Sequence, residues 1–256
     1  MEILRMSAGE ASVEVAPALG GRLAQLTVAG RALLVAGDAT SNPMTWGMYP
    51  MAPWPGRLDA GRFELDGRVI QVPINLDPFA IHGLTFDRPW QVEASTERSA
   101  TLSCPLDWEL GGLATQQLSL TAHALDCQLT VRASHTALLA EVGWHPWFVR
   151  ADRIGFQPQT MFEKGHDGLP TGNLIDPTPG PWDDCFLHAS PVELHYSELV
   201  LTISSDTDHL VVYDEPRHAN CIEPQSGPPN AFNLSPRRIE AHRALTRSLR
   251  IAWSRA

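Results

Sequence analysis

The feature that most constrains this chain is alternation. In "LSLTAHALDCQLTVRAS" (118–134), Leu118, Leu120 and Ala122 share one parity, and Cys127, Leu129 and Val131 share the other. A two-residue period puts alternate side chains on opposite faces of an extended strand. The change of parity calls for a bend, expected near Asp126, that folds the stretch into a hairpin. "FELDGRVIQV" (63–72) carries Asp66-Gly67 between two apolar-rich arms. Asp-Gly tolerates the positive φ angles of a type I′ turn, so a tight hairpin is expected there too. "LVLTIS" (199–204) and "HLVVY" (209–213) read as short strands across a polar "SDTD" turn. At the C-terminus Leu245, Leu249, Ile251 and Trp253 fall on one side of the same period, and Arg247 interrupts the stripe.

No stretch sustains a 3.6-residue apolar period over three turns, so no amphipathic helix is expected. The 21 prolines and 19 glycines fall mainly between the strands, where they set turns. Long irregular stretches are expected at 40–60, 73–88, 155–186 and 214–236. Loops of that length inside a compact domain usually carry function. The 256 residues, 43% of them hydrophobic, can bury a core without staples. The fold class expected is all-β: one large antiparallel β-sandwich, residues 1–256 forming a single domain, with the site on its loops.

Charge and cysteine usage narrow the partners. The chain has 29 acidic against 19 basic residues, a formal net charge of −10, which argues against nucleic acid because phosphate binding needs a basic face. The four cysteines, Cys104, Cys127, Cys185 and Cys221, form no CxxC pair and are expected to be buried free thiols in a reducing compartment. The N-terminus lacks a basic segment followed by an apolar run, and no segment is long enough to span a membrane. The expectation is a cytoplasmic protein with a small-molecule partner.

The polar residues worth singling out sit in four stretches: "PMAPWPGRLDAGRFELDG" (50–67), "FAIHGLTFDRPW" (79–90), "EVGWHPWFVR" (141–150) and "CIEPQSGPPNAFN" (221–233). Glu223 lies inside an apolar stretch, where a carboxylate needs a partner or a task. His145 stands between Trp144 and Trp147, His82 between an isoleucine and a glycine, and Arg57 just after Pro55-Gly56. Asp183 and Asp184 are adjacent, so in a strand they would face opposite ways. Trp46, Trp54, Trp90, Trp144, Trp147 and Trp182 lie in or beside these and the neighbouring loop segments. They suit either core packing or a platform for the apolar face of a sugar ring. There is no GxSxG elbow, phosphate-binding GxxxxGK[ST] loop or HExxH pair. A metal site would need distant ligands, such as His82, His145 and Glu223, to converge.

Taken in order, the arginine before a hairpin, the "HG" pair, a histidine beside aromatics, an aspartate near a phenylalanine and "CIEPQSGPPNAFN" resemble the aldose 1-epimerase (galactose mutarotase-like) family. The resemblance runs from "GGRLAQLTVAGRALL" to the end, and the chain looks like a compact, divergent member. It implies a large antiparallel β-sandwich with a sugar cleft and no metal or nucleotide cofactor. It further implies Glu223 as general base, His145 as general acid, His82 and Arg57 as sugar contacts, and Asp183, with Asp184 as a substitute, as the aspartate on the sugar hydroxyls. The family's "NH.YFN" is here "GWHPWF", and the segment after Pro170-Thr171-Gly172 is short, which bears on which sugar is bound. Three alternatives stand beside a mutarotase. They are a sugar-phosphate epimerase, for which Arg22, Arg62 and Arg88 are available, a non-catalytic carbohydrate-binding protein, and the converged metal site.

Overall fold

The computed structural model describes residues 2–187 and 191–255. Almost every element is a strand. The helices are two three-residue 3-10 turns and a single α-helical turn, Ala231–Leu234, among the described residues.

Two large antiparallel sheets make the body. The larger runs, neighbour to neighbour, Leu4–Ala8, Ala11–Ala16, Arg22–Val28, Met48–Met51, Gly143–Val149, Ala219–Gln225, His209–Tyr213, Asp183–Leu187, Thr160–Lys164 and Pro170–Ile175. The other runs Gln91–Ser95, Ser99–Pro105, Leu113–Leu120, Ala124–Arg132, Ala244–Arg255, Leu199–Ser205, Val192–Tyr196 and Arg153–Gly155. The core draws on both. Trp144, Phe148, Phe186, Val212 and Ile222 come from the first sheet, and Leu118, Leu129, Leu201, Leu249 and Ile251 from the second; all belong to one buried cluster. The all-β sandwich read from alternation is therefore the fold observed.

The hairpin expected at 63–72 forms as Arg62–Leu65 against Arg68–Gln71. Asp66 has φ 53° and Gly67 φ 73°, the left-handed pair a type I′ turn needs. A methyl group on Gly67 would meet nothing within 4 Å, so its cost is conformational alone. Gly67→Ala is expected to lower stability by about 1 kcal/mol, read as a urea midpoint shift at unchanged slope.

Four expectations need correction. The second hairpin turns at Thr121–His123, not at Asp126. Leu120 pairs with Leu125, and the Thr121 hydroxyl accepts from the His123 and Ala124 amides to close the turn. Ala122 merely continues the apolar count past the end of its strand. Asp126 sits within the returning strand, where its carboxylate takes two hydrogen bonds from Arg250. The 155–186 stretch is not a loop, since it holds Thr160–Lys164, Pro170–Ile175 and Asp183–Leu187. Likewise Ala219–Gln225 crosses the stretch 214–236, as Met48–Met51 crosses 40–60. Its proline and polar content hid a strand whose seven residues are all buried.

Arg22 also departs from the sequence reading. It is fully buried, with its guanidinium donating to the Leu19, Trp46 and Phe86 carbonyls at 2.6, 3.0 and 2.9 Å. It also lies over the Trp46 ring at 4.3 Å and the Tyr49 ring at 5.1 Å. Burial pulls its pKa down to about 10, still charged at neutral pH. All four cysteines are buried and free, as expected.

Candidate active site

The site is built on strands of the larger sheet, on the face turned away from the core. Gly143–Val149 pairs with Ala219–Gln225 from Gly143 opposite Gln225 to Trp147 opposite Cys221, which sets His145 level with Glu223. Tyr49 pairs with His145 on one side, and Val211 with Glu223 on the other. One row over, Trp147, Cys221, Tyr213 and Asp183 follow in register. Period-2 alternation thus delivers Asp183, Glu223 and His145 to one face while Trp144, Ile222 and Val212 fill the core on the other. The sequence expectation put these residues on loops or strand ends. Asp183 does begin a strand, while His145 and Glu223 stand inside paired strands, which hold side chains more rigidly than loops do.

Arg57 and His82 arrive from outside the sheet. The short strand Arg57–Leu58 pairs with Ala80–Ile81, with Arg57 opposite Ile81. The next residue, His82, has φ 63° and donates its backbone N–H to the Gly56 carbonyl at 3.0 Å. Gly83 follows at φ 77°, and a Cβ there would come within 2.1 Å of the Ala52 carbonyl oxygen. The "HG" pair is therefore required by geometry. It turns the chain tightly against Ala52 and aims the His82 ring edge-on at His145, centroids 5.0 Å apart.

These residues line a cavity of about 480 Å³, within the usual ~300–1,000 Å³ of small-molecule pockets. Its walls include Arg57, His82, His145, Asp183, Asp184 and Glu223, all five expected site residues with the alternative aspartate. His145 Nε2 stands 3.3 Å from Glu223 Oε1, and Gln225 Nε2 donates to Glu223 Oε2 at 3.2 Å. Arg57 pairs with Asp183 at 3.2 Å, and Lys164 with Asp184 at 2.9 Å. Asp183 has the sheet parity of Tyr213, Cys221 and Glu223, and Asp184 that of Val212, so Asp183 is the aspartate on the face of His145 and Glu223.

Burial dominates the electrostatics. Loss of water pushes the Glu223 carboxyl well above its usual range, Asp183 adds to this, and Arg57 and Gln225 oppose it. The same loss pulls the His145 imidazole well below its usual range, with His82 adding to the effect. His82 itself is brought down to about 3 by burial and by Arg57, and so is neutral. Both shifts favour the uncharged forms, a carboxylic acid beside a neutral imidazole.

The sequence reading missed several neighbours. Lys164, Tyr213 and Gln225 border the cavity, and they lay in segments read as loop or, for Tyr213, at the end of an unremarkable strand. Of the six tryptophans considered as a platform, Trp147 alone borders the cavity; it stacks on His145 with centroids 5.4 Å apart and planes 7° from parallel. Trp46, Trp54, Trp90 and Trp144 are buried packing residues, and Trp182 packs on Phe186. The metal-capable group among the described residues is His145, Cys221 and Glu223, without His82.

Comparison with known proteins agrees with this architecture. The chain is 28% identical over 250 residues to YihR of Escherichia coli (strain K12), covering 84% of this chain and 81% of that protein. The crystal structure of a candidate aldose 1-epimerase from Escherichia coli K12 superposes with a TM-score of 0.89 at 18% identity, covering 100% of this chain and 99% of that one. That of a galactose 1-epimerase from Lactobacillus acidophilus NCFM does so with a TM-score of 0.83 at 13% identity, covering 100% and 96%. These two structures establish the shared fold. A family model described as aldose 1-epimerase matches residues 2–247, nearly the whole chain, and the protein therefore belongs to the aldose 1-epimerase family.

Proposed function

We propose that the protein is a mutarotase that interconverts the α and β anomers of a free aldohexose. The observation that carries this is the placing of His145 against Glu223 at 3.3 Å on the wall of the cavity. Ring opening moves two protons on oxygens bonded to the same carbon: one leaves the C1 hydroxyl and one joins the ring oxygen. An acid and a base for that reaction must stand close together, as these two do.

In the forward step the Glu223 carboxylate takes the proton from the C1 hydroxyl. The C1–O5 bond breaks, its electron pair goes to O5, and O5 takes a proton from the His145 imidazolium. The C1 carbonyl then rotates, and closure reverses both transfers. The ion pair and its neutral tautomer, carboxylic acid with imidazole, hold the same number of protons, so the pair can start either direction without exchange with solvent. Neutral His82 and Arg57 lie on the same wall to hydrogen-bond ring and hydroxyl oxygens, and Asp183 accepts from sugar hydroxyls. Trp147 and Phe162 supply apolar wall for the C–H face. The four buried thiols fit a reducing cytoplasm, and we take the chain as a single domain.

The cavity's charge argues for an unphosphorylated sugar. Its two cations, Arg57 and Lys164, are each engaged by an aspartate, and Glu215 adds a further acidic group. Arg22 is buried beneath the site, and Arg62 and Arg88 are exposed elsewhere; none borders the cavity. Fresh α-glucose or α-galactose, followed by polarimetry, is expected to equilibrate faster with enzyme than without. kcat/KM for glucose 6-phosphate should be at least about tenfold lower, the effect of ~1.4 kcal/mol of unfavourable binding. Saturable sugar binding with no acceleration would indicate a carbohydrate-binding protein instead.

A further inference from the structure

Cys221 has no task in the acid–base scheme, yet it stands beside both partners. It precedes Glu223 by two residues on one strand, so the two side chains share a face. Its Sγ, a His145 ring nitrogen and a Glu223 oxygen all lie within 4.8 Å of one another, and all three residues are buried. We propose that His145, Cys221 and Glu223 form a capture site for a thiophilic divalent ion, zinc being the natural probe, and that a captured ion shuts the enzyme off.

The geometry fits a four-coordinate ion. With metal–nitrogen and metal–oxygen bonds of about 2.0–2.1 Å, a tetrahedral site separates those two ligand atoms by roughly 3.3 Å. His145 Nε2 and Glu223 Oε1 are already 3.3 Å apart. Cys221 supplies the third corner from the next row of the same face, and the fourth falls toward the cavity that His145 and Glu223 line. The thiolate selects zinc or cadmium over magnesium or calcium, which prefer oxygen ligands.

The site is built for capture rather than for a resident cofactor. A histidine that holds a catalytic metal normally donates its other ring N–H to a partner, and loss of that partner typically costs about 10–100-fold in affinity. His145 Nδ1 is buried and has no hydrogen-bond partner among the described residues. An ion bound here also occupies the lone pairs of both acid–base residues, so metal and sugar turnover exclude each other.

The test uses the purified full-length protein dialysed against zinc, with cobalt(II) as the spectroscopic substitute. One zinc per chain is expected, together with a thiolate-to-cobalt charge-transfer band. Cys221→Ser should abolish the band and weaken zinc binding at least about tenfold, the loss of one of three ligands. Cys185→Ser, which removes the thiol that borders the cavity, should leave both unchanged. If Cys221→Ser fails to fold, Glu223→Gln carries the same binding test. No stoichiometric zinc, or binding unaffected by Cys221→Ser, would overturn the proposal. Binding is read without any sugar, so a chain that captures zinc but leaves mutarotation unaccelerated would count against the mutarotase reading alone.

Discussion

Glu223→Gln is expected to lower kcat for mutarotation by about 10²–10⁴-fold while leaving the fold intact. The size follows from removing one well-placed base, equivalent to roughly 3–5 kcal/mol of barrier. Glutamine has nearly the shape of the protonated carboxyl that burial already favours at this position, so no new desolvation cost arises. Its side-chain carbonyl can still accept from Gln225 Nε2, as Glu223 Oε2 does now. Circular dichroism and the urea midpoint should therefore match the wild type, and polarimetry should show the loss. Activity within tenfold of wild type would remove Glu223 from the role of base.

Arg22→Leu is expected to cost at least about 3 kcal/mol of stability. Leucine fills part of the volume but leaves the Leu19, Trp46 and Phe86 carbonyls without the donors they now have. An unsatisfied buried polar group costs about 1–3 kcal/mol, and three are released together. The effect should reach the site as well. Arg22 lies against Tyr49, whose ring centroid is 4.9 Å from that of His145, so loosening the cation unseats the wall behind the imidazole. Urea unfolding monitored by tryptophan fluorescence gives the first effect, and kcat under folding conditions the second. A midpoint indistinguishable from wild type would show that the guanidinium is not a structural pin.

Much of this was legible in the sequence because strand periodicity is a local signal. The alternation of Cys127, Leu129 and Val131 and the Asp66-Gly67 turn each report on a few neighbouring residues, and both led to the elements observed. The fully buried strand Ala219–Gln225 alternates nothing, since both its faces are covered, and so it passed for a loop. Which aspartate faces Glu223 depends on cross-strand register, a non-local property, and only the pairing of Asp183 with Tyr213 decides it. The cationic role of Lys164 was invisible for the same reason, as was the burial of Arg22, whose hydrogen-bond partners lie as far as 64 positions away.

The shared row of His145 and Glu223 has a consequence for how such a chain can change length. A one-residue insertion within Gly143–Val149 or Ala219–Gln225 would exchange the faces of the residues beyond it and set His145 or Glu223 out of step with its neighbours in the row. Duplications and deletions that preserve the chemistry must therefore fall outside these strands, in the segments that carry Arg57, His82 and Lys164 to the cavity. The rim of the cavity is then free to be remodelled, while the placing of His145 against Glu223 stays locked to the parity of two strands.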